Sequence, residues 1–355
     1  MSASPSAWRP RRLRLRDPKL WIGLVITGVT VWLAVRGVSF EDLARDLREA
    51  NVLVLVAYSV PGYVGALYLR ALRWRHLTDA VQPISRGPLF RATAVGFMVN
   101  NLVPLRVGEV VRAWMLAREV GASGAAILGT VILERVIDAV FVSSLALAVL
   151  GSQSGGVALA GPLLAAVAVP VSAVIALRVA PEQVVGLAGR TLLWALPERA
   201  VLWVQRLLRS FAEGLGSLRG GRHLFWIALH SVLIWGVFSV IPIYGALQAL
   251  HVDLGSTSRQ LSASYATLAA VGVAVALPSA PGFFGPYHYA ARLALTRFGL
   301  PQATALAVGT LAHATFWVTV TLLGLAVLRF RHASLDETLE AAAEPAGKDP
   351  PAERR

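Results

Sequence analysis

Six charged residues fall within stretches that are otherwise apolar: Arg106, Glu109 and Arg112, then Glu134, Arg135 and Asp138. On helices, Arg106, Glu109 and Arg112 share roughly one face, as do Glu134 with Asp138 and Arg135 with Asp138. A charge near the bilayer centre costs at least roughly 2.5–3.5 kcal/mol on insertion scales. Each of the six must therefore pair, reach water or meet a polar ligand. Three arginines against three acids point to a mutually neutralised network. Such a network either fastens helices together without touching a ligand or lines a polar cavity for an anionic head group. Arginine suits the second use because it grips phosphate bidentately and keeps its charge in a low dielectric. Arg70 and Arg73, at the end of another apolar run, either extend that basic surface or snorkel to the interface.

The scaffold that must hold these groups is a membrane one. Of 355 residues, 56% are hydrophobic and 15% charged, against roughly 25% charged in soluble domains. Mean hydropathy is +0.62, and the apolar runs approach the roughly 20 residues that a spanning helix needs. A cytosolic enzyme, a disordered chain and a collagen-like fibre are excluded. The net charge of +13 comes mostly from arginine, Lys19 and Lys348 being the lysines. These charges flank apolar spans, as the positive-inside rule requires, so no nucleic-acid partner is expected. The absence of cysteine excludes disulfides, thiolate-bound metals and a thiol nucleophile. There is no P-loop and no G-x-S-x-G, and no His/Asp/Glu group has metal-ligand spacing. No cofactor or metal is expected.

Reading along the chain, a basic cytoplasmic N-terminus (1–19) precedes a retained first span at 20–35. A slightly acidic loop and a second span at 52–69 follow. Segments 89–103 and 107–117 are each too short to cross, and they break at Asn100-Asn101-Leu102-Val103-Pro104. They read as a re-entrant hairpin, whose non-helical backbone must be buried in protein or line a wet cavity. Spans at 125–150 and 157–177 come next. Residues 178–223 read as a cytoplasmic amphipathic helix, lying on the membrane surface or packed on the bundle. A span at 224–250 leads to a second broken hairpin, 261–277 and 287–298, and to a last span at 304–328. The tail 331–355 reads as disordered.

The predicted fold class is thus all-α and polytopic: six full spans plus two re-entrant broken-helix hairpins within transmembrane residues 20–330. Repeat 1 covers about 52–150 and repeat 2 about 224–329, in opposite orientations. Ala92-Thr93-Ala94-Val95-Gly96 echoes Thr267-Leu268-Ala269-Ala270-Val271-Gly272, and Gly108 and Gly121 echo Gly285 and Gly299. Inverted repeats with broken helices are the usual construction of alternating-access carriers. Eight complete spans with two proline kinks is the alternative. Both termini are expected on the cytoplasmic side of a bacterial or archaeal cell (inner) membrane.

The second break carries Pro278, Pro281, Gly282 and Gly285, whose glycines let backbone approach a lipid closely. His288 and Arg292 follow, and His313 lies on the last span, where it either packs by hydrogen bonding or carries a proton.

Leu72-Arg73-Trp74, then Gly96, Asn100-Asn101-x-x-Pro104-x-Arg106-x-Gly108-Glu109 with Arg112, then Glu134-Arg135-x-x-Asp138, and later Pro281-Gly282-x-x-Gly285 together form a pattern. It resembles the transmembrane flippase-like domain of the lysylphosphatidylglycerol synthase family, in free-standing form, over about residues 20–330. Where that family often has a glutamate three residues after the last glycine, this chain has His288. Only a short polar tail follows residue 332, so the synthases' aminoacyl-transfer domain is not expected and neither is aminoacyl-lipid synthesis. What the resemblance implies is movement between leaflets of an anionic or aminoacylated phospholipid or a polyprenyl-linked lipid, passive or ion-coupled, with substrate contacts among the charged residues named above. The alternatives are a membrane-embedded enzyme acting on lipid-phosphate head groups, or a subunit serving a lipid-synthesising enzyme partner.

Overall fold

The computed structural model describes residues 18–151, 221–276 and 279–330, with a partial set between 172 and 212. The expected span at 157–177 and Pro278 lie almost wholly, and wholly, outside the described residues. So do the N-terminal arm up to residue 17 and the tail from 331. The described residues are nearly all helical and include no strand.

In chain order the helices are α1 (Pro18–Val35), α2 (Phe40–Glu49), α3 (Val52–Thr78), α4 (Arg86–Leu102), α5 (Gly108–Val120) and α6 (Gly124–Gly151). After these come α7 (Pro181–Leu192), α8 (Gly221–Leu233), α9 (Ile241–Ala249), α10 (Thr257–Ala274), α11 (Pro286–Thr296) and α12 (Gln302–Phe330). A π-helical stretch, Ile234–Phe238, joins α8 to α9, so that Gly221–Ala249 runs as one rod. That rod, α3 and α12 are long and apolar enough to cross a membrane, and the bent pair α1–α2 makes a fourth if counted as one span. Helix α6 has 28 residues, a length of about 42 Å at 1.5 Å per residue, but carries Glu134, Arg135 and Asp138. The protein is an all-α polytopic membrane protein.

The exterior is apolar and the interior partly charged, the reverse of a soluble domain. Leu53, Leu322 and Phe330 face outward, while Arg70, Arg73, Arg112, Glu134 and Asp138 are buried. Beside those charges Trp74, Leu77, Leu89, Leu116, Ile127 and Val131 form one apolar cluster.

Within residues 36–49, expected as a loop, Phe40–Glu49 forms α2. Ser39 caps it by accepting from the Asp42 N–H at 3.2 Å. Glu41 and Asp42 occupy the first turn and Arg48 the last, the arrangement that complements a helix dipole. The described residues of the 178–223 region pack on the bundle: Val184, Val185 and Leu208 join the core cluster around Trp74, and Gln205 donates to the Val185 carbonyl at 3.2 Å.

Both breaks are present and both fold the chain back. Helix α4 ends at Leu102, a 3-10 turn covers Pro104–Arg106, and α5 returns alongside. The arms approach so closely at Gly96 and Gly108 that a Cβ on Gly108 would overlap the Gly96 carbonyl oxygen. Helix α10 likewise ends before a 3-10 turn at Pro281–Phe283, and α11 returns from it, with Val271 packed against Tyr287, Ala290 and Ala291. Gly121 and Gly299, which echo each other in sequence, both have positive φ, at 67° and 92°.

Candidate functional site

The first break is held by Asn100. Its Oδ1 accepts from the Gly108 N–H at 2.9 Å, and its Nδ2 donates to Glu109 at 3.2 Å. One side chain thereby satisfies an orphan donor at the start of α5 and fixes the first acid of that helix. Asn101 reaches the other way, donating to Thr321 Oγ1 at 3.2 Å on α12. Pro104 opens the 3-10 turn between them, where its missing N–H costs nothing.

Helices α3, α5 and α6 bring the charges together. Asp138 accepts from Arg70 at 2.7 Å and from Arg73 at 2.7 Å. Glu134 accepts from Arg73 at 3.3 Å, from Arg112 at 3.0 Å and from Arg135 at 2.7 Å. Arg135 also lies 3.1 Å from Asp138. The Trp235 indole N–H, on the π-helical stretch, donates to Asp138 at 3.0 Å, and Arg73 donates to Ser231 at 2.9 Å. In the same π-helical stretch the Gly236 carbonyl accepts from the Tyr265 hydroxyl at 2.6 Å; such bulges are frequent at functional sites.

This network differs from the balanced set expected from sequence. Four arginines surround two carboxylates, because Arg70 and Arg73 point into the bundle instead of snorkelling outward. Arg73 and Glu134 are fully buried. Arg106 and Glu109 stand beside the network and not in it: among the described residues no carboxylate lies within ion-pair distance of Arg106, and no cation within that distance of Glu109. Glu109 remains within electrostatic reach of Arg106, Arg112 and Arg135.

Aromatic faces supply the rest of the cage. Arg112 lies over Trp74 at 4.8 Å, Arg70 over Trp235 at 5.1 Å and over Phe97 at 5.5 Å, and Arg135 over Phe97 at 6.0 Å. The Trp74 N–H is itself anchored on Thr130 at 2.8 Å. Even so, Nε of Arg73, Nε and Nη1 of Arg112, and Nε of Arg135 are buried with no hydrogen-bond partner. The network thus carries more arginines than carboxylates and leaves several guanidinium donors without a hydrogen-bond acceptor. Arg135, with a third of its side chain exposed, is the most accessible of the four arginines, the other three being buried.

A model of the family described as the lysylphosphatidylglycerol synthase TM region matches residues 20–324. The chain belongs to that family. Among relatives, the glycosyltransferase AglD of Haloferax volcanii is 24% identical over 352 residues, 91% of this chain and 56% of its own length. A UPF0104 membrane protein of Methanothermobacter thermautotrophicus is 34% identical over 120 residues, covering 32% of this chain and 35% of its own length. The chain thus spans about half or less of the relatives it matches. No solved structure matches it.

At the second break of this family member, Gly282 and Gly285 take positive φ, at 71° and 91°, and a Cβ on Gly285 would overlap Thr30 of α1. Pro281 starts the 3-10 turn. The Ala280 N–H donates to Thr27 at 2.8 Å, so α1 braces this break. His313 Nε2 bonds the Gly282 carbonyl at 2.7 Å, its ring stacks on Tyr287 at 4.5 Å, and His288 meets its edge at 4.9 Å. In that hydrogen bond His313 is a fastener of the turn. Arg292 takes no part: it donates to the Arg36 carbonyl at 2.8 Å, away from both breaks.

Sequence reasoning missed Trp235, Ser231 and Phe97. A single tryptophan on an apolar span gives no signal of its own, since its N–H partner is set only by packing. Trp74 and Thr130 were equally silent in role, although Trp74 sits in the motif with Arg73.

Proposed function

We propose that this chain is a flippase-like carrier, passing the anionic head group of a membrane lipid along the arginine-rich seam while the acyl chains stay in the bilayer. The observation that carries this reading is the ratio of four arginines to two buried carboxylates, with guanidinium donors left over. A purely structural clamp would be served better by a neutral set, because surplus buried charge is destabilising. Arg135 and the nearby Arg106 meet the phosphate first; Arg70, Arg73 and Arg112 hold the field behind them.

The cation–π contact of Arg106 with Phe283, one residue from each break, and the positive-φ glycines that follow α5 and α11, Gly121 and Gly299, support two halves of opposite orientation meeting near the midplane. Both termini then lie on the cytoplasmic side of the cell membrane. A relative named a glycosyltransferase favours a sugar-bearing polyprenyl lipid among the candidate substrates. The same name favours a second reading, in which the chain serves an enzyme acting on that lipid.

Proteoliposomes with fluorescent phosphatidylglycerol or polyprenyl phosphate test the proposal. Wild type is expected to expose inner-leaflet label to an external quencher, and Arg135→Gln to slow exposure by about tenfold, the equivalent of roughly 1.4 kcal/mol. Both carboxylates keep arginine partners in that variant, so the fold survives. If wild type matches empty liposomes for both lipids, the carrier reading fails; co-purification with a lipid-synthesising enzyme would then favour the second one.

A further inference from the structure

The end of α3 meets the start of α8 through three side chains that the arginine network does not use. His76 lies in the last turn of α3, Asp79 is the residue that ends it, and His223 stands in the first turn of α8. We propose that His76, Asp79 and His223 form a binding site for a transition-metal cation of the zinc class.

The argument starts from distances. Asp79 Oδ2 lies 4.0 Å from His76 Nδ1 and 3.7 Å from His223 Nδ1, and one ligand atom from each of the three residues lies within 4.8 Å of the others. These gaps are too long for hydrogen bonds. Both Nδ1 atoms are nevertheless buried with no hydrogen-bond partner. Two buried imidazole nitrogens, each within 4.0 Å of one carboxylate oxygen and neither with a hydrogen-bond partner, are poorly explained by packing alone. A tetrahedral zinc ion with bonds of about 2.0–2.1 Å spaces its ligand atoms by roughly 3.3 Å. Metal binding would draw the three ligand atoms closer together.

The chemistry selects the ion. Two imidazoles and one carboxylate suit zinc and its first-row neighbours, whereas magnesium and calcium demand oxygen ligands. Arg75 and Arg222 adjoin the ligands in sequence and oppose any cation, which disfavours an ion held by charge alone. Three protein ligands leave one tetrahedral position for water.

The rings are already held in place. His76 stacks on His230 at 5.6 Å and on Trp226 at 6.4 Å, with interplanar angles of 23° and 5°. A metal here would tie α3 to α8, the same helices that Arg73 and Ser231 join further inside. It would therefore stiffen one wall of the charged network from its end.

The test uses tag-free protein in detergent, stripped of metal and titrated with zinc sulfate by calorimetry, with metal analysis after dialysis and thermal unfolding alongside. Wild type is expected to take up one zinc per chain and to unfold at a higher temperature with zinc than without; magnesium chloride should do neither. His223→Ala and Asp79→Asn should lose both effects. His223→Gln, a milder change at a partly exposed side chain, should do the same while unfolding like wild type when no metal is present. The proposal is overturned if wild type takes up no zinc, or if the variants take up as much as wild type does.

Discussion

Arg106 and Phe283 join the two helix breaks, the guanidinium carbon lying 5.0 Å from the centre of the ring. Both residues have positive φ, 55° and 62°, a region costing an ordinary side chain about 1–2 kcal/mol. Two such residues in contact, one from each break, store strain that the surrounding packing must hold in place. Arg106→Gly removes that strain while giving up a cation–π contact worth about 0.5–1 kcal/mol at exposed sites. Its thermal midpoint in detergent is expected to stay close to that of wild type, while lipid movement falls. A large drop in the midpoint would show Arg106 to be structural.

Glu134 behaves differently, because it accepts from Arg73, Arg112 and Arg135. Glu134→Ala leaves buried arginines facing one remaining acid. Breaking a buried pair from one side costs about 3–5 kcal/mol, so this variant is expected to unfold well below wild type or to express poorly. Thermal unfolding in detergent measures it, and a midpoint close to wild type would mean that the network is hydrated and weakly coupled.

Two glycine substitutions separate close packing from helix propensity. A Cβ on Gly108 meets the Gly96 carbonyl oxygen and Asn100 Oδ1, neither of which is free to move without opening the hairpin. Gly108→Ala is expected to destabilise by about 1–3 kcal/mol and to abolish lipid movement. A Cβ on Gly186, on α7, would enter open space, and Gly186→Ala should stabilise by up to about 1 kcal/mol. A Gly108→Ala midpoint at or above that of wild type would contradict the close approach at the first break.

The breaks were legible in the sequence because Asn100-Asn101, Pro104 and Pro281 interrupt apolar runs too short to span, and membrane depth leaves few uses for such an interruption. The charges of α5 and α6 were legible for the same reason. Their partners were not. Arg70 and Arg73 stand at the end of a span, where snorkelling is the ordinary outcome, and only the packing of α3 against α6 turns them inward. A balanced count of three and three therefore gave way to four and two. Helix α2 was hidden by its short length and polar face, although Ser39 with Asp42 is a readable cap. His76 and His223 lie on opposite sides of the chain's middle, and no local spacing announces a pair assembled by tertiary contact.

The central claim is that the surplus positive charge beside Glu134 and Asp138 serves an anionic head group. Native mass spectrometry of detergent-purified protein, titrated with phosphatidylglycerol and phosphatidylcholine of equal chain length, tests it most directly. The account expects wild type to hold the anionic lipid about tenfold or more tightly, roughly 1.4 kcal/mol in its favour, and the preference to vanish when Arg106→Gly and Arg135→Gln are combined. Equal affinity of wild type for the two lipids would contradict it.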